Sequence, residues 1–260
     1  MKEIWADGEV QDAIASTIEL ISDFGITGRS LTSRNALIPL VFYFYHNGNP
    51  PLTTDSQLGV QVRPLILEWL CSALLNSNFN SRPDEIIQDA RDAVKEADHN
   101  EFPLERIQRE IRTRGKAVGF NREIIQDLFE ETDYNSTKIY LLLSVLYYPD
   151  PALDDSYEAD HIFPRSLLEK DNLIENYGFN PSKAERYASL RDHVANLQLI
   201  EENQSKGDKP FDEWISTRSG QYYDRHHIPT DDRLYELENF PEFIEQREEL
   251  LQDHIISTFN

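Results

Sequence analysis

Between Tyr147 and Asp155 the chain reads Tyr-Tyr-Pro-Asp-Pro-Ala-Leu-Asp-Asp, and this run limits what can lie on either side of it. Two prolines disfavour helix in the residues before them, and three aspartates favour an exposed turn. The break divides the sequence into an α-helical region, residues 1–148, and a second domain, residues 149–260. Before it, apolar residues recur at helical spacing. Val10, Ala13, Ile14, Ile18 and Ile21 mark a helix over 8–24, and Leu65, Ile66, Trp69, Leu70, Ala73 and Leu74 mark another over 57–76. Residues 35–46, with Pro39 in the first turn, predict a buried helix. Further helices are expected at 82–97, 104–114, 122–131 and 136–147. After the break come two strand candidates, 156–163 and 195–200, separated by a polar, helical insertion. Helices at 211–217 and 240–257 follow. The expected class is α+β, mostly α-helical.

The chain has 260 residues, 47 acidic against 25 basic, for a net charge of −22. Both parts are acidic: 14 basic against 23 acidic residues through position 150, and 11 against 24 beyond it. A field of this sign repels nucleic acid at ordinary ionic strength. Seventeen Arg against eight Lys, with Asp nearly as common as Glu, is a halophilic-like pattern. In molar salt the screening length shrinks to about 3 Å, and the repulsion fades. An ordinary acidic protein is the alternative. One cysteine, Cys71, excludes an internal disulfide framework and a cysteine-rich zinc ribbon. The longest apolar stretch, residues 37–45, is about half of a membrane span, and no basic leader precedes an apolar run. The expectations are no membrane and a cytoplasmic location.

The residues that carry chemistry lie between positions 159 and 209. The segment opens with Ala-Asp-His-Ile-Phe-Pro-Arg-Ser, from Ala159 to Ser166, and ends with Asn-Leu-Gln-Leu-Ile-Glu-Glu-Asn-Gln-Ser-Lys-Gly-Asp-Lys, from Asn196 to Lys209. A carboxylate and an amide oxygen are hard ligands, suited to Mg²⁺ or Mn²⁺ with water and phosphate oxygens. A neutral histidine beside such an ion can take a proton from water near neutral pH. Together these groups suffice to hydrolyse a phosphodiester. Asn203 and Lys206 share a face if residues 201–206 form a short helix. Asp160 and His161 point to opposite faces of a regular strand, so both line one site only where the strand ends or bends.

This segment resembles an HNH nuclease motif of the ββα-metal class. The resemblance implies that His161 is the general base and Asp160 a metal ligand. It implies that Asn196 holds the loop carrying His161 and that Asn203 is the second protein ligand. Lys206 and Lys209 match basic positions that meet phosphate. Asn203 stands where many such motifs have histidine, and 34 residues separate His161 from Asn196. The motif cysteines that bind structural zinc are missing, so no structural zinc is expected.

The Asp-His-Ile-Phe-Pro-Arg-Ser run and the Asn-Leu-Gln-Leu-Ile stretch resemble the C-terminal nuclease region of GmrSD-type, modification-dependent (type IV) restriction proteins. Asn35 to Leu40, with the aromatic run from Phe42 to Tyr45, resembles the helical region before it. The resemblance implies a metal-dependent endonuclease cutting DNA as the effector part of an antiviral restriction system. Its partner would be a nucleotide-hydrolysing sensor domain or subunit; the Asp-Gly-Gln-Gln-Arg-like signature of that part is not found here.

Blander readings stand beside these. A catalytically silent HNH-like module for DNA or protein docking would use the same scaffold. Arg165 can meet phosphate or pair with a nearby carboxylate. Asp192-His193 reads as a loop pair. His226-His227 reads as a solvated turn or as metal or base contacts, Phe42 to Tyr45 as core, and Glu201-Glu202 as a solvated helix start. Cys71 reads as a small core residue.

Overall fold

The structure, a computed structural model, describes residues 8–147, 157–201 and 207–259. Helices predominate, with one small sheet, giving the α+β, mostly helical class. The chain divides into two compact units, and the division falls between Ile124 and Ile125.

The first unit holds α1 (Gly8–Asp23), α2 (Leu37–His46), α3 (Gln57–Leu75), α4 (Pro83–Glu96) and α5 (Leu104–Thr113). Local chemistry explains their starts. Ser56 caps α3, its hydroxyl accepting from the Gly59 amide at 2.9 Å. Gly59 is required there, since a Cβ would lie 1.9 Å from the Thr53 carbonyl oxygen. Pro83 opens α4, with Asp84 and Glu85 in its first turn, where the helix dipole favours acid. α3 is long and apolar enough to cross a membrane; in this fold Ile66, Trp69, Leu70 and Leu74 on it are core. Phe102 meets Tyr43 and Trp69 edge-on at 5.6 and 5.9 Å. Of the aromatic run, Tyr43 and Phe44 are buried and Tyr45 is exposed. Cys71 is buried, and burial pushes its thiol up to about 12.

Next come α6 (Arg122–Glu131), within which the division falls, and α7 (Ile139–Leu146). The second unit continues with β1 (Tyr157–His161), α8 (Lys170–Glu175), α9 (Pro181–Leu190), β2 (Leu197–Glu201), α10 (Phe211–Ile215), α11 (Gly220–His226) and α12 (Phe240–Phe259). β1 and β2 are antiparallel, with Tyr157 opposite Glu201 and His161 opposite Leu197. The polar insertion between the strands is helical, as α8 and α9. β2 begins two residues later than the apolar run suggests, because Val194–Asn196 forms a single tight helical turn. Glu201 belongs to the strand and does not begin a helix. The Phe163 ring centroid lies 5.0 Å from those of Phe211, Phe240 and Phe243. That cluster anchors the segment immediately after β1.

Candidate active site

β1 ends on Asp160 and His161, so the strand stops where both side chains are needed. Asp160 turns toward its cross-strand partner Gln198, whose Nε2 donates to Oδ2 at 3.2 Å. Gln198 is fully buried, and its amide oxygen accepts from the Tyr222 hydroxyl. His161 is 8% exposed. Its Nε2 lies 2.9 Å from Asp192 Oδ1, and its ring packs 4.6 Å from that of Tyr134.

Asn196 is the fastener of this region. Its Oδ1 accepts from the Phe163 amide at 2.8 Å, and its Nδ2 donates to the Phe163 and Arg191 carbonyls at 3.1 and 2.7 Å. Its own carbonyl accepts from the Ile162 amide at 2.7 Å. Three of these bonds, to Ile162 and Phe163, therefore hold the exit of β1 against the entry to β2, and the fourth ties the same fully buried residue to Arg191. Leaving such groups unpaired in the interior would cost about 1–3 kcal/mol each.

The loop after β1 also carries Arg165, exposed, with Nε 3.6 Å from Asp192 Oδ1. Ser166 donates to Asp208 Oδ1 at 2.6 Å, which brings the exposed Lys209 beside the same loop. Asn203 and Lys206, the remaining residues expected at the site, lie outside the described residues.

Asp192 is the functional candidate that sequence reading passed over. It faces His161, Arg191 and Arg165. Burial pushes its carboxyl up, but the His161 hydrogen bond and the two arginines outweigh that and hold it below the ordinary carboxylate value. The only signal in the sequence was its Asp-His dipeptide, one of four in the chain beside those at 98–99, 160–161 and 253–254. An Asp–imidazole contact of this kind fixes the ring orientation and makes the other ring nitrogen a better base.

His226 is also not a solvated turn. It is 4% exposed at the end of α11, shares a 2.6 Å hydrogen bond with the Tyr147 hydroxyl, and lies under the Tyr222 ring at 4.2 Å. Burial, then the Arg247 charge, pushes its pKa down to about 2. Arg247, itself buried, donates to the carbonyls of His226, Ala195 and Leu197 at 3.1, 2.7 and 2.9 Å. The guanidinium thus ties β2, next to Asn196, to the end of α11. Among the described residues, no three His, Cys, Asp or Glu side chains form a metal cage.

A two-stranded sheet that delivers an Asp-His pair to a fastened loop, in an otherwise helical chain, is the frame on which the comparison with known proteins falls. Residues 119–253, more than half of the chain, match the family described as GmrSD restriction endonucleases, C-terminal domain. The chain belongs to that family, and its function is of the restriction-endonuclease type, with DNA as the substrate. No curated protein matches the chain.

Proposed function

We propose that the second unit is an HNH-type, metal-dependent endonuclease and the effector part of a modification-dependent, antiviral restriction system, working in the cytoplasm with a nucleotide-hydrolysing sensor. The observation that carries this reading is the His161–Asp192 contact at the end of β1, on the loop that Asn196 fastens. His161 accepts the proton of the attacking water. Asp192 holds the imidazole in one orientation and stabilises its protonated form. Arg165, Lys206 and Lys209 steady the phosphate oxygens.

Asp160 and Asn203 are the residues that would hold Mg²⁺ or Mn²⁺. One carboxylate and one amide oxygen suit an ion that keeps several waters and takes phosphate oxygens as further ligands. When bound, the ion supplies positive charge to the phosphate and to the departing 3′ oxygen.

The test is plasmid cleavage with Mg²⁺ or Mn²⁺, at low salt and in molar KCl, with His161→Ala as the control. General-base removal is expected to lower the rate by ~10²–10⁴-fold with the fold intact. Equal cutting by wild type and His161→Ala would break the mechanism. Activity confined to high salt would explain the acidic surface.

That surface also favours a second reading, a docking module without catalysis, since a net charge of −22 works against a DNA-bound state at low salt. Mn²⁺ binding that disappears in Asp160→Ala separates the two, because a docking module needs no ion.

A further inference from the structure

We propose that Tyr134, on the turn between α6 and α7, is a positioning residue of the candidate active site: its ring lies against His161 and, together with the Asp192 contact, holds the imidazole in one orientation toward the attacked phosphate. The proposal rests on the nuclease reading above, and adds to it a residue that precedes the Tyr147–Asp155 break in the sequence.

Backbone pairing brings the turn to the site, within the second unit. Asp133 and His193 form an isolated antiparallel bridge, and the Tyr134 amide donates to the Asp192 carbonyl at 3.1 Å. The turn is itself fastened. Asp133 Oδ1 accepts from the Asn135 amide at 2.9 Å, and the Asp133 carbonyl accepts from the Ser136 amide at 2.9 Å. The segment that carries Asp192 is therefore paired with the segment that carries Tyr134, and both side chains reach the same imidazole.

The two contacts restrain different motions. Asp192 Oδ1 meets His161 Nε2 at 2.9 Å, which fixes one corner of the ring. A single hydrogen bond leaves the ring able to roll about the N···O line, and the χ2 preference of histidine is broad. The Tyr134 ring lies 4.6 Å away, centroid to centroid, with the two planes 43° apart. A flat, rigid neighbour at that distance blocks the roll on its side. Catalysis needs both restraints, because a misplacement on the order of 1 Å can lower a rate ~10²-fold.

The ring, and not the hydroxyl, makes this contact. Tyr134 is half-buried, and among the described residues no hydrogen bond reaches its hydroxyl. Tyr134 therefore restrains His161 through its aromatic surface and does not compete with Asp192 for Nε2.

The experiment combines two readouts on the full-length protein. In steady-state plasmid cleavage, Tyr134→Leu should lower kcat about tenfold or more and keep KM within about twofold of wild type. Tyr134→Phe should recover most of that loss. In the double variant Tyr134→Leu, Asp192→Asn, the fall should be smaller than the product of the two single falls, because the two groups restrain one ring. Tyr134→Met replaces Tyr134→Leu if the leucine variant loses the wild-type circular dichroism spectrum. The second readout is the NMR signal of the His161 ring in protein carrying ¹³C-histidine, at one pH, without metal or DNA, assigned by its loss in His161→Ala. It should move in Tyr134→Leu, where the ring current is lost, and stay near its place in Tyr134→Phe. An unmoved signal in Tyr134→Leu would overturn the contact. A raised KM with unchanged kcat, or an equal loss of kcat in Tyr134→Phe, would make Tyr134 a substrate contact and overturn the positioning role. Single losses that multiply in the double variant would overturn it too. Cutting by the wild type that Tyr134→Leu leaves unchanged removes the positioning role and keeps the nuclease. No cutting by the wild type, with the His161 signal moved in Tyr134→Leu, removes the nuclease, and with it the catalytic use of a contact that stands.

Discussion

Each unit buries an arginine, and the two are held in different ways. In the first unit Arg63 reaches outward: Nη1 donates to Asp23 Oδ2 at 3.1 Å and to the Leu52 carbonyl at 2.7 Å, and the carboxylate it meets is 58% exposed. In the second unit Arg247 donates only to backbone carbonyls in its described bonds, and these join segments 21 to 52 residues away. Arg63 trims the edge of a helical core whose stability comes from apolar faces. Arg247 is a cross-brace, and the strand it braces carries Asn196 and Gln198 at the site. A helical unit can therefore lose a polar bond and keep its form, whereas the site depends on bonds that cross the sequence.

The largest expected effect tests that contrast. Arg247→Ala leaves three buried carbonyls without their donor, and should cost about 3–5 kcal/mol of stability. Arg63→Ala leaves one buried carbonyl, Leu52, without its donor and an exposed carboxylate, Asp23, that water can reach, and should cost about 1–2 kcal/mol. Urea denaturation of the two variants against wild type measures both. Equal losses would remove the distinction between trim and brace. Burial pulls the Arg247 guanidinium down to about 10, so it remains charged at neutral pH and the cost is that of a buried cation's contacts.

Acid should separate the units next. Burial first, and then Arg247, pushes His193 down to about 4; burial, and then His254, pushes His227 down to about 4. His226 is lower still. All three belong to the second unit. Each folded value lies below the ordinary histidine value of about 6.5, so the unfolded chain binds protons that the folded chain refuses. Stability contributed by the neutral rings is present above about 6.5 and is lost as pH falls toward about 4. The first unit's His46 and His99 are exposed. With fluorotryptophan in the protein, the Trp214 resonance should report unfolding at lower urea at pH 5 than at pH 7, and the shift should exceed that at Trp69. A larger shift at Trp69 would reverse the assignment.

The same contrast explains what was legible in the sequence. Helices follow a 3.6-residue period over ten or more residues, so α6 coincides with its expected range and α3 ends one residue short of its own. α7 starts late, at Ile139, because Ser136 bonds back to Asp133 in a turn. The strand pair was legible in place but not in its ends, since His193 Nδ1 accepts from the Ala195 amide and sets the tight turn before β2. The Asp160-His161 pair and Asn196 were visible as a motif. Asp192 was not, because its contact with His161 spans 31 residues and no periodicity reports such a contact. Burial of His226 was hidden for the same reason: Tyr147 lies 79 residues from it.

The smallest expected effect is confined to cleavage, and it tests whether the cross-sequence bonds of the second unit serve chemistry as well as form. Asp192→Asn keeps the size of the side chain and a hydrogen-bonding partner for His161 while removing the charge. Asp192 is only partly buried and is shared among His161, Arg191 and Arg165, so the fold should tolerate the change within about 1 kcal/mol. If the carboxylate orients His161 and stabilises its protonated ring, kcat should fall ~10- to 100-fold, the usual scale for a supporting partner of a site residue. KM should stay near the wild-type value, since Asp192 meets the imidazole and not the phosphate. Asp192→Glu should recover part of the rate, because the charge returns at the wrong length. A fall in KM-dependent binding with unchanged kcat would place Asp192 among the groups that hold Arg165 for the substrate, and the second unit's bonds would then separate into one set for catalysis and one for docking.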